Sequence, residues 1–150
     1  MKLAEALQER ADLNSRLEQL RYRLQANATV QEGEKPAEDP QQLLAEMKEC
    51  VERLEELMAR INKTNGNTVV DGKTLTELIA KKDALTLEIS IMRDFLNAAS
   101  DLAARASRTE IKILSTVDVR ELRRQVDDMS RELRLTDNAL QQANWTAELL

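Results

Sequence analysis

The sequence predicts an all-α fold, and three observations lead to this prediction. Ala, Glu, Lys, Leu and Arg make up 80 of the 150 residues, a composition typical of long helices and coiled coils. Apolar residues recur at alternating intervals of three and four, the spacing that places side chains on one face of a helix. Three glycines and two prolines are too few turn formers for an all-β fold or a doubly wound sheet.

The apolar spacing predicts four helices within a single helical domain, residues 1–150. Their approximate ranges are 2–28, 40–63, 75–106 and 119–147. Asp39-Pro40 is typical of a helix start, while Thr74 with Glu77, and Asp118 with Glu121, match the capping box. Long helices joined by short connections favour an antiparallel four-helix bundle or paired helical hairpins with coiled-coil packing.

Two connections carry signals of extended structure. Asp71-Gly72 favours a tight turn with positive φ, which predicts a small β-hairpin between the second and third helices. Ile111 and Ile113, with β-branched neighbours, predict a short extended piece within residues 107–118. The two segments are either ordinary capped turns or strand edges that pair between antiparallel protomers.

Apolar residues outside the predicted core predict self-association. In the second helix the core stripe is predicted to be Leu44, Met47, Val51, Leu54, Met58 and Ile61. A second stripe is then left exposed, formed by Leu43, Cys50 and Leu57 on the second helix and by Leu87, Ile91 and Phe95 on the third. Covering this stripe requires a partner, and the simplest partner is another copy of the chain.

The residue inventory excludes several kinds of enzyme. The sequence contains no His, so Ser-His-Asp catalysis, Cys-His catalysis and a ferritin-like di-iron site are impossible within one chain. Its lone Cys50 cannot form an intramolecular disulfide and is interpreted as a small hydrophobic residue. Glu49, Glu52 and their acidic neighbours are interpreted as a solvated helix face rather than a cation site. We predict no catalytic, cofactor-binding or metal-binding residues, no cofactor and no identifiable small-molecule substrate.

Charge and hydropathy predict location and partners. The chain becomes charged within its first five residues and has no apolar run of membrane-spanning length, so a cytoplasmic protein is expected and membrane contact is not. Residues 119–150 carry five arginines among six acidic residues. Without net positive charge or aromatic stacking residues, binding to nucleic acid is not expected.

Polar residues in two settings are candidates for a site. Arg10, Asn27, Lys82 and Thr136 interrupt the apolar stripes and either line an internal site or fix the helix register. The connection between the second and third helices is longer than a turn requires, and it is predicted to be an interaction loop. Its candidate residues are Asn62, Thr64, Asn65, Asp71, Gly72 and Thr74. Helix capping and hairpin formation are the local alternative.

Several segments together resemble a known family. They are residues 1–12, 30–34, 38–40, 60–65, 71–77, 110–112 and 144–145. In this order they are similar to the septicolysin-like family of small bacterial helical proteins, whose function is not established. The resemblance implies a cytolysin-like activity but transfers no catalytic residues.

The resulting hypothesis is an uncharacterised non-enzymatic, cytoplasmic helical protein that acts as a homo-oligomeric structural or interaction module. A membrane-active protein, as the family label implies, is the alternative. A third hypothesis is an enzyme that uses carboxylates, Arg and Lys at the loop-rich end of the helices.

Overall fold

The structure is a computed structural model that describes residues 1–102 and 111–150. The elements in this part of the chain are α1 (Leu3–Ala26), α2 (Pro40–Asn67), β1 (Val69–Val70), β2 (Lys73–Thr74), α3 (Leu75–Ser100) and α4 (Val119–Thr146). About three quarters of the described residues are helical, so the predicted all-α class is confirmed.

The chain divides into two compact units. The first contains residues 1–68 together with 143–150, and the second contains residues 69–142. The arrangement of the four helices, as a closed bundle or as paired hairpins with coiled-coil packing, stays a prediction, and so does the single domain.

The first unit is built on an antiparallel pair formed by α1 and α2. Leu20, Leu43 and Cys50 form its buried cluster, against which further leucines and Met47 pack. Glu9 of α1 pairs with Arg53 of α2 at 2.6 Å, and Arg16 of α1 pairs with Glu46 of α2. Residues later in α1 thus contact residues earlier in α2. This order identifies the pair as antiparallel.

The first and last residues of the chain pair within the same unit. The Leu3 amide donates to the Ala147 carbonyl and the Leu149 amide donates to the Met1 carbonyl, each at 2.9 Å. Leu149 is buried, and the Leu150 amide donates to the Thr64 hydroxyl at 3.0 Å. The chain termini are therefore part of the packed structure of this unit.

The inward face of α2 differs from the predicted one. Leu43, Cys50 and Leu57 are buried, whereas Val51 and Met58 of the predicted core stripe are exposed. Met47, Leu54 and Ile61 have helical spacing both with the predicted core stripe and with Leu43, Cys50 and Leu57. The face predicted to point inward is therefore the neighbour of the face that is buried. The half of the predicted exposed stripe that lies on α2 is thus core.

Helix α2 also continues four residues past its predicted end. The Thr64 hydroxyl donates to the Arg60 carbonyl at 2.8 Å, and the Asn67 side-chain amide donates to the Lys63 carbonyl at 2.7 Å. These side chains bond to backbone carbonyls one turn earlier in the helix. Asn65-Gly66 lies between them and is also part of α2.

The second unit contains the β-hairpin and an antiparallel pair formed by α3 and α4. Ile89, Leu96 and Val126 are buried, with methionine and leucine side chains packed against them. Lys82 Nζ lies 2.7 Å from Asp137 Oδ1, and Arg93 donates to the Ser130 hydroxyl, which fixes the antiparallel order. Leu75, Leu78, Ile89 and Leu96, which recur at heptad spacing along α3, are all buried.

Two expectations near α4 need correction. Residues 111–118 form no strand, and α4 begins directly after them, while residues 107–110 of the predicted extended piece lie outside the described residues. Residues 103–106, the predicted end of the third helix, lie outside them as well. The Glu121 amide donates to Asp118 Oδ1 at 3.1 Å, but the Glu121 carboxylate binds Arg124 instead of returning to the cap. Only half of this capping box forms.

Candidate functional site

The predicted hairpin is present and ends directly at α3. Val69 pairs with Thr74 and Val70 with Lys73 in antiparallel register. Between them Asp71 and Gly72 have φ values of +50° and +80°, the two positive angles that a type I′ turn requires. The Asp-Gly sequence was the signal for this turn, and the structure confirms it.

The hairpin passes into α3 through a complete capping box. The Thr74 amide donates to Glu77 Oε2 at 2.7 Å, and the Glu77 amide donates to the Thr74 hydroxyl at 3.2 Å. The hydrogen bond from the Thr74 backbone lowers the pKa of the Glu77 carboxyl. The polar groups of this junction are therefore used in starting the helix.

The six residues of the predicted interaction loop do not form one loop. Asn62, Thr64 and Asn65 lie on α2 in the first unit, whereas Asp71, Gly72 and Thr74 lie on the hairpin in the second. Thr64 is completely buried, and its hydroxyl bonds to the Arg60 carbonyl and to the Leu150 amide. The hydrogen bonds of Thr64 thus belong to α2 and to its contact with Leu150, and those of Thr74 belong to the cap of α3. Whether any of the six binds a partner stays a prediction.

Two of the polar residues that interrupt the stripes, Asn27 and Lys82, have structural partners. The Asn27 side chain donates to the Arg23 carbonyl and accepts from the Glu38 amide, which ties the end of α1 to the start of α2. Lys82 pairs with Asp137, and this hydrogen bond lowers the pKa of the Asp137 carboxyl. The two residues thereby join α3 to α4. Thr136, a residue of α4, is buried. Arg10 is half-buried on α1.

One depression of the second unit, of about 200 Å³, is lined by Phe95, Ala98, Ile113 and Leu114 among others. Two further open depressions of this unit are lined by charged residues and could admit a small molecule. One, of about 300 Å³, lies beside the hairpin, and the Lys81–Glu132 ion pair lines it at 2.7 Å. The other, of about 340 Å³, is lined by Arg93, Arg123 and Asp127 among others. Each brings cations and a carboxylate together at the surface, an arrangement suited to ion pairing rather than to general acid or base catalysis.

In the described part of the chain, no group of three or more His, Cys, Asp or Glu residues could hold a metal ion. None of its helices is long and apolar enough to cross a membrane.

The outward face of α3 carries an apolar stripe, here called the outer stripe, that is exposed to solvent. Leu87 is 63% exposed, Ile91 60% and Phe95 43%, as the sequence predicted for this helix. Ala84 and Ala98 are also exposed and extend the stripe by one turn at each end. These alanines were not predicted as part of the stripe, although each lies three residues from Leu87 or Phe95, a spacing typical of one helix face.

Acidic residues flank the outer stripe. Asp83, Glu88 and Asp94, called the acidic rim below, are exposed and form no ion pair with any described residue. Lys82, which precedes Asp83, is paired with Asp137 of α4, whereas Arg93, which precedes Asp94, donates to the Ser130 hydroxyl and forms no ion pair with a described residue. The second unit therefore presents an apolar ridge flanked by three acidic residues.

Comparisons with known proteins correct the predicted family. The chain is similar to a protein whose crystal structure is described as that of a functionally unknown conserved protein from Corynebacterium diphtheriae. The two are 38% identical with a TM-score of 0.92, over 100% of this chain and 99% of the other. No curated protein matches.

A family model of DUF6847, a family of unknown function, matches residues 10–149. Nothing in these similarities indicates septicolysin, so the predicted resemblance to septicolysin-like proteins is wrong. Several of the motifs behind it are now accounted for as helix caps and turns, among them Asp39-Pro40, Asp71-Gly72 and Thr74 with Glu77. The chain belongs to DUF6847.

Proposed function

We propose that the chain is a non-enzymatic cytoplasmic interaction module that associates with further copies of itself through the outer stripe of α3. The exposure of Leu87, Ile91 and Phe95 carries this proposal. Large apolar side chains in a row on one helix face are a recurrent feature of protein–protein contacts. Burying them against a second copy removes this apolar surface from water, which favours association.

The chemistry of the described surface supports a role without catalysis. The carboxyl groups of Glu9, Asp137 and Glu77 have lowered pKa values, caused by Arg53, by Lys82 and by a helix cap respectively. A general base at neutral pH requires the opposite, a pKa raised toward 7. Ion pairs and caps of this kind stabilise helices rather than activate a substrate.

The acidic rim favours a protein partner over a membrane surface. Anionic lipid headgroups attract basic segments, whereas Asp83, Glu88 and Asp94 border the outer stripe with negative charge. A leakage assay on vesicles containing anionic and zwitterionic lipids tests the membrane-active alternative. Dye release that Leu87→Glu abolishes would contradict the interaction module.

Light scattering coupled to size exclusion tests self-association directly. The concentration series extends into the high micromolar range, since a short helical interface binds weakly. We expect a mass above that of one 17.1 kDa chain at high concentration, and a loss of this excess mass in Leu87→Glu. Leu135→Glu is the matched control, because Leu135 is 54% exposed on α4 in the same unit but lies outside the stripe. A monomeric wild-type chain at every concentration would overturn the proposal.

A further inference from the structure

Two arginines on neighbouring helices occupy equivalent places in the second unit. Arg93 of α3 donates from Nη2 to the Ser130 hydroxyl of α4 at 3.4 Å, and Arg123 of α4 donates from Nη2 to the Ser100 hydroxyl of α3 at 3.2 Å. On each helix the serine lies seven residues after the arginine. Because the two helices are antiparallel, each arginine reaches the serine of the other helix, and the two halves are related by a local two-fold axis.

The same relation extends to the residues between each arginine and the serine on its own helix. Leu96 and Val126 lie three residues after the two arginines, and Asn97 and Asp127 lie four residues after them. Together with the arginines, these four residues line the depression of about 340 Å³. Leu96 and Val126 are buried, so the exposed polar part of the depression consists of two guanidinium groups, one amide and one carboxylate.

Neither arginine has a carboxylate partner among the described residues. Arg124, by contrast, pairs with Glu121 at 2.7 Å. A guanidinium group has five N–H donors, so a single hydroxyl acceptor leaves most of the donors of Arg93 and Arg123 for a ligand. Of the described residues that line the depression, Asp127 alone carries a carboxylate. Two positive charges therefore face one negative charge there.

We propose that this depression binds a small divalent oxyanion of the phosphate type, with hydrogen phosphate as its simplest member. Arginine binds phosphate through paired N–H groups, and hydrogen bonds between charged partners are stronger than neutral ones. Two guanidinium groups supply two positive charges, which match a dianion better than a single carboxylate. The Asn97 amide provides further N–H donors at the same place. This inference goes beyond the proposed self-association and does not depend on it.

The carboxylate of Asp127 favours phosphate over sulfate. An ionised carboxylate only accepts hydrogen bonds, so it repels an anion that carries no proton, and sulfate is such an anion. Hydrogen phosphate keeps one O–H group, which can donate to the carboxylate. Both ions are tetrahedral dianions of similar size. A preference for phosphate would therefore report the contact with Asp127 rather than charge or shape.

A titration of the ¹⁵N-labelled chain with sodium phosphate, followed by NMR at constant ionic strength, tests the proposal. At about pH 8 phosphate is mainly divalent, since its second pKa is near 6–7. The Nε–H signals of Arg93 and Arg123 should shift and saturate, with a Kd on the order of 1 mM because the site is open to solvent. Sodium sulfate should bind at least fivefold more weakly, and Asp127→Asn should reduce this difference.

Three arginine variants locate the binding. Arg93→Gln and Arg123→Gln should each weaken phosphate binding at least tenfold. Arg134→Gln is the matched control, because Arg134 is also exposed on α4 and forms no ion pair with a described residue, but does not line the depression. It removes the same charge and should leave the Kd within about twofold of the wild-type value. Circular dichroism checks that all three variants keep their helicity.

The other outcomes would overturn the site. One is the absence of a saturable shift at phosphate concentrations about twentyfold above the expected Kd. Another is an equal loss of affinity in all three arginine variants, which would indicate general attraction to positive charge. An effect of only one of Arg93→Gln and Arg123→Gln would contradict a site built on both arginines. Sulfate that binds as tightly as phosphate would contradict the choice of ligand.

Discussion

Two isoleucines on α3 provide a direct test of how its faces are assigned. Ile89 is 3% exposed and packs in the core of the second unit, whereas Ile91, two residues later, is 60% exposed. Replacing either with alanine removes the same atoms from the same helix. Composition and helix propensity change equally in the two variants. The difference between their free energies of unfolding therefore measures the effect of burial.

The expected loss of stability follows from the burial of Ile89. Alanine removes three carbon atoms, which is about 2.4 kcal/mol of transfer free energy at about 0.8 kcal/mol each. The cavity left among Leu96, Val126 and their neighbours brings the loss to about 2–5 kcal/mol. Ile91→Ala should change the stability of the monomer by less than about 0.5 kcal/mol.

Urea unfolding followed by circular dichroism at 222 nm measures both variants, at a concentration where the chain is monomeric. Thermal unfolding followed by the same signal is a second readout, in which a loss of about 3 kcal/mol should lower Tm by about 6–12 °C for a chain of this size. Similar losses in Ile89→Ala and Ile91→Ala would mean that both faces of α3 are covered. The outer stripe would then be core, and the interface assigned to it would be wrong.

Three further predictions concern caps, charges and salt. Thr74→Ala removes the side-chain acceptor of the α3 cap and should cost about 1 kcal/mol, measured by urea unfolding; an unchanged midpoint would contradict the capping role. The hydrogen bond from Arg53 holds the pKa of Glu9 below its ordinary value of 4.5. The contribution of this ion pair to the free energy of unfolding should therefore be complete at neutral pH and disappear as pH falls through the lowered pKa. Glu9→Gln should weaken this pH dependence. Added NaCl should strengthen self-association, because the acidic rims of two copies repel; weaker association in salt would refute this arrangement.

The parts of the fold that the sequence predicts well are set by local interactions. Asp39 accepts from the Gln41 amide at 2.9 Å with Pro40 at the first helical position, and the Asp71-Gly72 turn has both positive φ angles. Each of these features depends on a few adjacent residues. Their sequence signals therefore predict helix starts and the hairpin without any knowledge of tertiary packing.

The inward face of α2 could not be predicted from periodicity alone. Leu43 and Leu44 both begin apolar series with helical spacing, and the two series share Met47. Both faces satisfy the same spacing rule. Packing of α1 against Leu43 and Cys50 decides between them, and this contact joins residues far apart in sequence.

The residues predicted to form one interaction loop lie on two different elements, α2 and the hairpin. The prediction relied on residue types that occur both in binding loops and in helix caps and turns. Asn, Thr and Gly are frequent in functional loops, but their side chains also bond to backbone groups nearby. Thr64 lies inside α2 and bonds to its own helix and to Leu150, while Thr74 caps α3. A composition rich in these residues does not distinguish binding from capping.

Helix α3 carries apolar residues on two opposite faces. Its inward residues, such as Ile89 and Leu96, are buried within one chain, yet its opposite face carries Leu87, Ile91 and Phe95 in the open. A helix that is apolar on opposite faces is typically enclosed on both sides. In the single chain α4 covers the inner face, while the outer stripe remains in solvent. The exposure of Leu87, Ile91 and Phe95 is therefore the observation behind the proposed self-association, because burying them against a partner would enclose this face of α3 as well.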